Sequence, residues 1–407
     1  MSGRFPWKKF TPLIRYFKKT RNQFNANLLI HLKNNFLLDP SITYLNHGSF
    51  GACPRPVFEA YQRYQLELER EPVNLLQRNF CEKMKTARSR LAGFLNCGTD
   101  DIAFVRNTTY GLNVVARSLS LKRGDIILIT DQEYGAVNRM WKTIAEESGA
   151  EIVRVPIPLP ATSSSEIVEA FHKHLVSSVR VMAIPHLAAD SALRLPVEEL
   201  VLIARKTNVI SVIDGAHAPG QLPLDLNSLG ADFYVGNCHK WLLSPKGAGF
   251  VYAAPHQADH VRSPIIGWGN ISQGSTSLLL ENEWQGTTDI SAFLAVSDAI
   301  NFLEKNDWFQ TIVPACSIIL NKISPALLKI THQASLYGSP DLKSPQMASF
   351  RLPPGDHSSL HAVLFENHQI EIPIFSNEHG DFFRISVQAY NSEEDLQRLV
   401  EVLSKLI

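Results

Sequence analysis

A carboxylate and a lysine each follow a short apolar segment near the middle of the chain. Residues 209–213 are mostly β-branched and apolar and end at Asp214, and residues 233–236 repeat the pattern shortly before Lys240. Such runs predict strands that are buried on both faces of a sheet. If the two strands are neighbours, Asp214 and Lys240 face one crevice at the carboxyl edge of the sheet, where ligands bind in open α/β folds.

Pyridoxal phosphate (PLP) requires this pair of residue types. A lysine holds the cofactor as a Schiff base, and a carboxylate beside the pyridine nitrogen keeps that nitrogen protonated, which makes the ring an electron sink. We predict Lys240 as the Schiff-base lysine and Asp214 as the carboxylate. His217 can reach the phenolic oxygen of the cofactor or a substrate carboxylate, and His239, next to the lysine, can reach the phosphate.

At these positions the chain resembles the class V aminotransferase superfamily of fold-type-I PLP enzymes, specifically its isopenicillin-N-epimerase-like branch. The resemblance is carried by residues 214–217 (DGAH), by residues 239–241 (HKW) and by the spacing between them. It extends from near Phe36 to the C-terminus. It implies an α/β fold, with a large domain built on a mostly parallel, seven-stranded sheet flanked by helices and a smaller α+β domain at the C-terminus.

The length of 407 residues is too great for one small core and predicts two unequal domains. We expect a basic N-terminal extension over residues 1–36 and a PLP-binding domain over residues 37–290. Within that domain, the resemblance implies that the segment 37–60 lies over the active site. The small C-terminal domain is predicted over residues 291–407.

Alternating apolar patterns predict the elements that position Asp214 and Lys240. Strands are predicted over residues 102–106, 126–130, 179–184 and 249–252, in addition to the two that precede the carboxylate and the lysine. Helices are predicted over residues 56–71, 78–94, 165–174 and 197–207, with a further helix that ends at Leu119.

The strand over residues 102–106 is followed by a possible phosphate site. Asn107, Thr108 and Thr109 form an N-cap signature. A helix N-terminus offers free N–H groups and the positive end of the helix dipole to a phosphate, and the two threonines add hydroxyl groups. A plain helix cap would give the same pattern, and the resemblance places the PLP phosphate here.

The resemblance implies two further cofactor contacts. Tyr134 stands where similar proteins stack an aromatic or histidine side chain on the cofactor ring, and His186 is expected near the cofactor. The chain departs from the family at Gln132, where many relatives have histidine. It also departs at residues 188–190 (AAD), where small hydroxyl residues are usual, and the extra carboxylate there alters which substrate group is welcome.

Substrate contacts are implied at both ends of the chain. Residues 44–51 (YLNHGSFG) resemble the segment that folds back over the active site in this branch, where Asn46 and His47 can offer hydrogen bonds to a substrate. Residues 382–386 (FFRIS) resemble the closing strand of the family. Its arginine, here Arg384, holds the substrate α-carboxylate through a bidentate fork that lysine cannot reproduce.

Residues 283–289 (EWQGTTD) match a family signature in which a Gly-Thr pair from the neighbouring subunit binds the phosphate. Thr287 thus predicts a homodimer with a shared active site. Thr288 stands where relatives usually have arginine, and the lost charge weakens either an intersubunit contact or a substrate contact.

The composition excludes several other classes of protein. The net charge is zero, which gives no indication of binding to nucleic acid or to a membrane surface, and no apolar run approaches the roughly 20 residues that span a bilayer. The five cysteines are scattered without CxxC spacing, which indicates neither a metal site nor a disulfide framework and suits the cytoplasm. Residues 1–38 are basic and aromatic, so organelle targeting or peripheral membrane binding is the alternative location.

The predicted function is that of a PLP enzyme acting on an amino acid or a related amine, in which Lys240 holds the cofactor and then moves the α-proton. Epimerisation, transamination and C–S cleavage share this site, so the reaction outcome and the substrate stay open. Cysteine desulfurase chemistry is disfavoured because no cysteine follows Cys316 to accept a persulfide. A β-eliminating C–S lyase needs no such cysteine and is the main alternative.

A protein with this fold that has lost catalysis and acts as a scaffold is the alternative from another class. The joint retention of the cofactor lysine, its carboxylate and the carboxylate-binding arginine argues against that alternative.

Overall fold

The computed structural model describes residues 27–271, 277–377 and 379–407. Most of the basic extension predicted over residues 1–36 lies outside the described residues, so its predicted role stays a prediction. In chain order, the strands of the described part are β1 (Thr43–Tyr44), β2 (Ile102–Val105), β3 (Ile126–Thr130), β4 (Glu151–Val155), β5 (Val179–Pro185), β6 (Ile210–Gly215), β7 (Phe233–Asn237), β8 (Gly249–Ala253), β9 (Met347–Arg351), β10 (Ile370–Glu371), β11 (Ile374–Asn377) and β12 (Gly380–Ser386).

The α-helices of the described part alternate with these strands over most of the chain. They are Asn27–Lys33, His47–Phe50, Arg55–Arg70, Phe80–Leu95, Thr108–Ser118, Gly135–Ser148, Ser164–His174, Val197–Lys206, Leu226–Leu229, Pro255–Ala258, Ser277–Glu283, Ser291–Leu294, Val296–Lys305, Val313–Thr331, Leu360–His368 and Glu393–Leu406. The predicted helices are all present, with ends that differ from the predicted ones by no more than a few residues.

The large sheet has seven strands in the order β2-β8-β7-β6-β5-β3-β4. Strands β7, β6, β5, β3 and β4 run parallel to one another, and β8 pairs antiparallel with both β7 and β2. Successive side chains of a strand point to opposite faces, and here they enter two separate hydrophobic clusters under helices on the two faces. The predicted α/β class with a mostly parallel sheet is confirmed.

The register of the central strands places the predicted carboxylate and lysine at one edge. Asp214 lies opposite Pro185 of β5 and opposite Val235 of β7. Because β6 and β7 are parallel neighbours, both strands end at the same edge, and the loop after β7 carries Lys240. The crevice predicted from the two apolar runs is therefore present.

A second, three-stranded antiparallel sheet is formed near the C-terminus in the order β11-β12-β9. It places Arg384 on its central strand opposite Ser349. The helical stretch Trp308–Thr331 packs against β9 and against the helix Glu393–Leu406. By length and composition alone this stretch could cross a membrane, although polar residues interrupt its apolar run in the sequence.

The segment before the first long helix is fixed to the small sheet and its neighbours. Strand β1 pairs in parallel with β10. The carbonyl of Leu45 accepts the N–H of Ser386 at 2.8 Å, and the N–H of Gly48 donates to Ser386 Oγ at 3.1 Å. These bonds hold residues 43–51 against β10 and the end of β12.

A buried ion pair joins the end of the helix Ser277–Glu283 to the helix Phe80–Leu95, and a hydrogen bond joins it to the edge strand β2. Arg88 Nη1 lies 2.8 Å from Glu283 Oε2, and Glu283 Oε1 accepts the N–H of Phe104 at 3.0 Å. Burial raises the pKa of Glu283 to about 7, although Arg88 acts in the opposite direction. The charge of Glu283 is therefore tolerated there only because Arg88 and a backbone N–H face it.

We predict that Arg88→Leu lowers the free energy of unfolding by about 3–5 kcal/mol, because it leaves a buried carboxylate without its partner. The matched control is Arg90→Leu on the same helix, whose ion pair with Glu304 is solvent-exposed and is expected to cost at most about 1 kcal/mol. Urea unfolding measures both values. Equal losses in the two variants would contradict the role given to the buried pair.

Candidate active site

A cavity of about 280 Å³ opens at the carboxyl edge of β3, β5, β6 and β7. Its wall combines strand ends, the N-terminus of the helix Thr108–Ser118 and the segment that carries Ser49 and Phe50. The predicted site residues in this wall are Thr108, Thr109, Tyr134, Asp214, His217, His239 and Lys240. The structure thus brings together residues that are up to 132 positions apart, from Thr108 to Lys240.

Asp214 is a fixed carboxylate with only 8% of its surface exposed. Its Oδ1 accepts the N–H of Ala216 at 2.9 Å, and its backbone carbonyl accepts the N–H of His186 at 2.8 Å. Burial raises the pKa of Asp214, while the Ala216 N–H and the charge of Lys240 lower it. A buried carboxylate of this kind gains from a cationic ring nitrogen, which supplies the opposite charge.

Lys240 lies in the cavity wall, partly buried, beside a histidine. Its Nζ lies 3.2 Å from His217 Nε2. Burial lowers the pKa of Lys240 to about 7, the charge of Arg384 lowers it further and Asp214 opposes both effects. A large share of the amine is therefore neutral at neutral pH, which is the state that attacks a carbonyl group or accepts a proton.

The N-terminus of the helix Thr108–Ser118 offers two polar groups that lack partners. Asn107 Oδ1 accepts the N–H of Tyr110 at 2.8 Å, and Asn237 Oδ1 accepts the N–H of Thr108 at 2.9 Å. The N–H of Thr109 has no hydrogen-bond partner among residues 27–271, 277–377 and 379–407. Thr108 Oγ1 is buried and also has none within these ranges. Both groups suit an anion at the helix N-terminus.

His239 borders the same end of the cavity. Its Nδ1 lies 2.8 Å from the carbonyl of Ala248 and must carry the proton, since a carbonyl oxygen only accepts. Burial lowers the pKa of His239 to about 4, so its Nε2 is an acceptor in this state. A phosphate dianion close to Nε2 would favour the doubly protonated ring.

Arg384 is not one of the residues that line the cavity, but it contacts two that do. Its Nη1 donates to the carbonyl of Ala189, and its Nη2 donates to Ser49 Oγ at 3.1 Å. Burial lowers the pKa of Arg384 to about 10 while Asp190 opposes the shift, so the guanidinium stays charged at neutral pH. Its Nε is buried without a partner among the described residues. This fork can receive a carboxylate.

Two predicted substrate residues, Asn46 and His47, lie outside the cavity wall. They hold residues 43–51, here called the covering segment, in place. Asn46 Nδ2 donates to Glu371 Oε1 at 3.1 Å, and Asn46 Oδ1 accepts from Ser49 Oγ at 2.5 Å. His47 Nε2 lies 3.1 Å from the carbonyl of Lys240. A direct contact of either side chain with a substrate stays a prediction, and the structure gives both a positioning contact instead.

His186 also lies outside the cavity wall, which its neighbours Pro185 and Leu187 line. Side chains alternate in direction along extended chain, so His186 points to the other side, where its Nδ1 lies 2.9 Å from Tyr234 Oη. Burial lowers the pKa of His186 to about 3, which makes it a neutral core side chain. Its predicted cofactor contact stays a prediction that this alternation disfavours.

The remaining predictions concern the ring face and the partner subunit. Tyr134 lines the cavity with half of its side chain exposed, so it is placed to stack on a ring. Gln132 is turned away and bonds through Nε2 with Asp131 and His379. Thr287 is exposed and lies outside the cavity wall of this chain, and its contact with a neighbouring subunit stays a prediction.

Sequence reasoning missed two polar residues of the site. Asn237, at the end of β7, fixes the N–H of Thr108, and a polar residue that ends an apolar strand is the signal that could have identified it. Glu133 is buried next to Tyr134, and burial together with the charge of Asp214 raises its pKa well above the ordinary value. Nothing in the local sequence distinguishes Glu133 from an exposed loop residue.

The residues present fit PLP. The unpartnered Thr108 hydroxyl and Thr109 N–H match its phosphate, the buried Asp214 carboxylate matches its pyridine nitrogen, and the partly neutral Lys240 amine matches its aldehyde. No group of histidine, cysteine and acidic residues suited to a metal ion occurs among the residues that the structure describes.

Gly51 provides the closest approach of the covering segment to the lysine. Its φ is +69°, and a Cβ atom there would lie 2.1 Å from the carbonyl oxygen of His239 and 3.1 Å from Lys240 Cα. Only glycine satisfies both the backbone conformation and the space. Any side chain must therefore move the segment or the lysine loop.

We predict that Gly51→Ala weakens the binding of PLP to the apoprotein by about tenfold or more, because overpacking of this kind costs about 1–3 kcal/mol. An absorbance titration with PLP measures the affinity. The control is Gly93→Ala, where a Cβ would meet nothing within 4 Å and where alanine favours the helix. Unchanged affinity in Gly51→Ala would show that the close approach is dispensable.

A family model described as aminotransferase class-V matches residues 43–399. The chain is 35% identical over 389 residues to isopenicillin N epimerase of Amycolatopsis lactamdurans, with 91% of this chain and 96% of that protein covered. It is 26% identical over 411 residues to L-cysteine desulfhydrase of Arabidopsis thaliana, with 90% and 88% covered. The apo structure of cysteine desulfurase from Thermococcus onnurineus NA1 shares the fold, with a TM-score of 0.79, 22% identity and coverage of 93% and 97%. The chain belongs to the class-V aminotransferase family.

Proposed function

We propose that this member of a PLP-dependent enzyme family binds an α-amino acid through Arg384 and removes its α-proton with Lys240. The observation that carries the proposal is the contact of 3.2 Å between Lys240 Nζ and His217 Nε2 in a cavity whose wall residues Ala189 and Ser49 contact the guanidinium of Arg384. Protonation of the same carbon on its opposite face gives epimerisation and is the leading outcome, supported by the 35% identity to an isopenicillin N epimerase.

The residues of this chain divide the work by charge. PLP, when bound, supplies the electron sink for the negative charge that remains after the α-proton leaves. Asp214 would keep the pyridine nitrogen of PLP protonated, so that a positive charge lies close to this negative charge. Arg384 binds and orients the substrate carboxylate. The neutral Nζ of Lys240 accepts the proton, and the N–H of His217 holds that amine in place. Asp214, His217 and Arg384 are buried, and Lys240 is partly buried, so few side-chain positions around the proton transfer are open to water.

The size of the cavity supports a small reacting group. Its volume of about 280 Å³ has to hold the cofactor and the part of the substrate near the α-carbon. A larger substituent would leave through the mouth, past Phe50 and Tyr134, which are 68% and 50% exposed.

A second candidate is β-elimination from a sulfur-containing amino acid. It is supported by the full-length similarity to an L-cysteine desulfhydrase and by the small cavity. It uses the same proton transfer to Lys240 and differs in the fate of the β-substituent. Cys316 is the last cysteine of the sequence and is buried in the helix Val313–Thr331. The proposal therefore includes no cysteine that accepts a persulfide.

We further propose that the protein is a cytoplasmic homodimer with a shared active site. We also propose that the helical stretch Trp308–Thr331 belongs to the core of the small C-terminal domain and does not cross a membrane. The exposed apolar side chains of Phe50, Ile266 and Trp268 suit burial against a second copy. All five cysteines are free, which suits a reducing compartment.

The test is incubation of the holoprotein with single L-amino acids in D₂O. Loss of the α-proton signal in the NMR spectrum, with D-amino acid on chiral chromatography, is the expected result for epimerisation. Pyruvate or another keto acid together with sulfide would instead identify β-elimination. A holoprotein that exchanges no α-proton of any amino acid, including cysteine and amino acids with large side chains, would refute the proposed function.

We predict that Arg384→Lys lowers kcat/KM by about 10- to 100-fold, mainly through KM, because a charged bidentate hydrogen bond of about 1.5–3 kcal/mol is lost while the positive charge is kept. Arg351→Lys on the neighbouring strand β9 is the control, since that guanidinium lies over the ring of Phe382. Equal effects in the two variants would contradict substrate binding by Arg384.

A further inference from the structure

Trp241 follows the lysine directly and is fully buried. Its indole Nε1 donates to His217 Nδ1 at 3.3 Å. An indole nitrogen can only donate a hydrogen bond, so His217 Nδ1 must be the unprotonated nitrogen of the ring. Burial, followed by the charges of Lys240 and Arg384, lowers the pKa of His217 well below its ordinary value, so the ring is neutral and its single proton lies on Nε2.

The position of that proton decides which form of Lys240 is compatible with the contact. His217 Nε2 lies 3.2 Å from Lys240 Nζ. With the proton on Nε2, the histidine donates, and the lysine must accept through the lone pair of a neutral amine. An ammonium group has no lone pair, so its N–H groups would face the N–H of His217 with no acceptor between them.

His47 holds the indole from the other side. The ring centroids of His47 and Trp241 are 4.8 Å apart. His47 Nδ1 accepts the N–H of Ala52 at 3.3 Å, so the proton of this ring is also on Nε2, which lies 3.1 Å from the Lys240 carbonyl. The backbone and the amine of the lysine are thus each held by a histidine, with the indole packed against one ring and bonded to the other.

We propose that Trp241 is a positioning residue that fixes the tautomer of His217 and thereby keeps the Lys240 amine in its neutral, proton-accepting form. The inference rests on the proposed function, in which this amine binds PLP and moves the α-proton. Without the indole N–H, His217 could carry its proton on Nδ1 and accept from an ammonium group through Nε2, so the charged form of Lys240 would gain a partner.

Other charges face this group and do not change between the two tautomers. Asp214 on β6 favours the charged amine, and Arg384 on β12 disfavours it. His47 from the covering segment is neutral, since burial lowers its pKa to about 3, and burial likewise leaves His239 uncharged near neutral pH. Lys246, next in the same loop, bonds with the carbonyl of Gly51. The tautomer of His217 is therefore the element that a change at Trp241 alters.

The test is the pH dependence of PLP capture by the apoprotein, followed by stopped-flow absorbance, because only the neutral amine reacts. In the wild type, the rate is expected to rise with pH through a midpoint near pH 7 and then level off, in line with the pKa of Lys240, which burial lowers to about 7. In Trp241→Phe, we expect the midpoint to move upward by about one pH unit or more, because the charged amine is no longer disfavoured by the histidine.

Trp308→Phe is the matched control, because Trp308 is also buried and donates its indole N–H to the carbonyl of Gly220 at 3.1 Å without contacting His217. Its midpoint is expected to equal that of the wild type. An unchanged midpoint in Trp241→Phe, or an equal shift in Trp308→Phe, would overturn the inference. A wild-type apoprotein that captures no PLP at any pH would instead refute the proposed function.

A second measurement does not depend on the folding of a variant. Nitrogen NMR of wild-type protein labelled with ¹⁵N-histidine reports which ring nitrogen carries the proton, and the signals of His217 are assigned by their loss in His217→Asn. The inference predicts an Nε2-protonated ring at neutral pH. A ring protonated on Nδ1, or on both nitrogens, would overturn it.

Discussion

The burial of the Lys240 amine without a paired carboxylate is the constraint on which the site depends. Removing a charged lysine from water costs free energy, and this cost is smaller when the amine loses its proton. Asp214 is close enough to affect the pKa of Lys240 but makes no ion pair with it among the described residues. The buried lysine is therefore compatible with a neutral amine, and a neutral amine is the form that both cofactor attachment and proton transfer require.

The surroundings of the lysine are consistent with that constraint. Gly51 allows the covering segment to touch the lysine loop at van der Waals distance, and two histidines donate toward the lysine backbone and amine. The covering segment is in turn bonded to Ser386 at the end of strand β12. The N-terminal segment therefore contacts both the loop that carries Lys240 and the three-stranded sheet that carries Arg384, so residues from both ends of the chain complete the site.

The elements of the large sheet could be predicted from local sequence because buried parallel strands are short apolar runs that end at polar residues. The strand predicted over residues 126–130 has those bounds in the structure, and the two strands before Asp214 and Lys240 are neighbours as predicted. The resemblance to the class-V family added the assignment of Thr108 and Arg384, and it correctly predicted the family and the fold.

The parts that could not be predicted depend on side-chain direction and on distant partners. His186 is adjacent to two cavity-lining residues but points away, because direction alternates along the chain. Arg384 is held by the carbonyl of Ala189, 195 positions earlier, and no local pattern encodes such a contact. Trp241 was visible as part of a motif, but its bond with His217 depends on the relative position of two loops.

The central claim is that Lys240 carries the cofactor in this cavity. The most direct measurement is borohydride reduction of the PLP-loaded protein, followed by proteolysis and mass spectrometry of the pyridoxyl-modified peptide. The account predicts one modified residue, Lys240. Modification of the neighbouring Lys246 in its place, or no modified lysine after loading with PLP, would contradict the account.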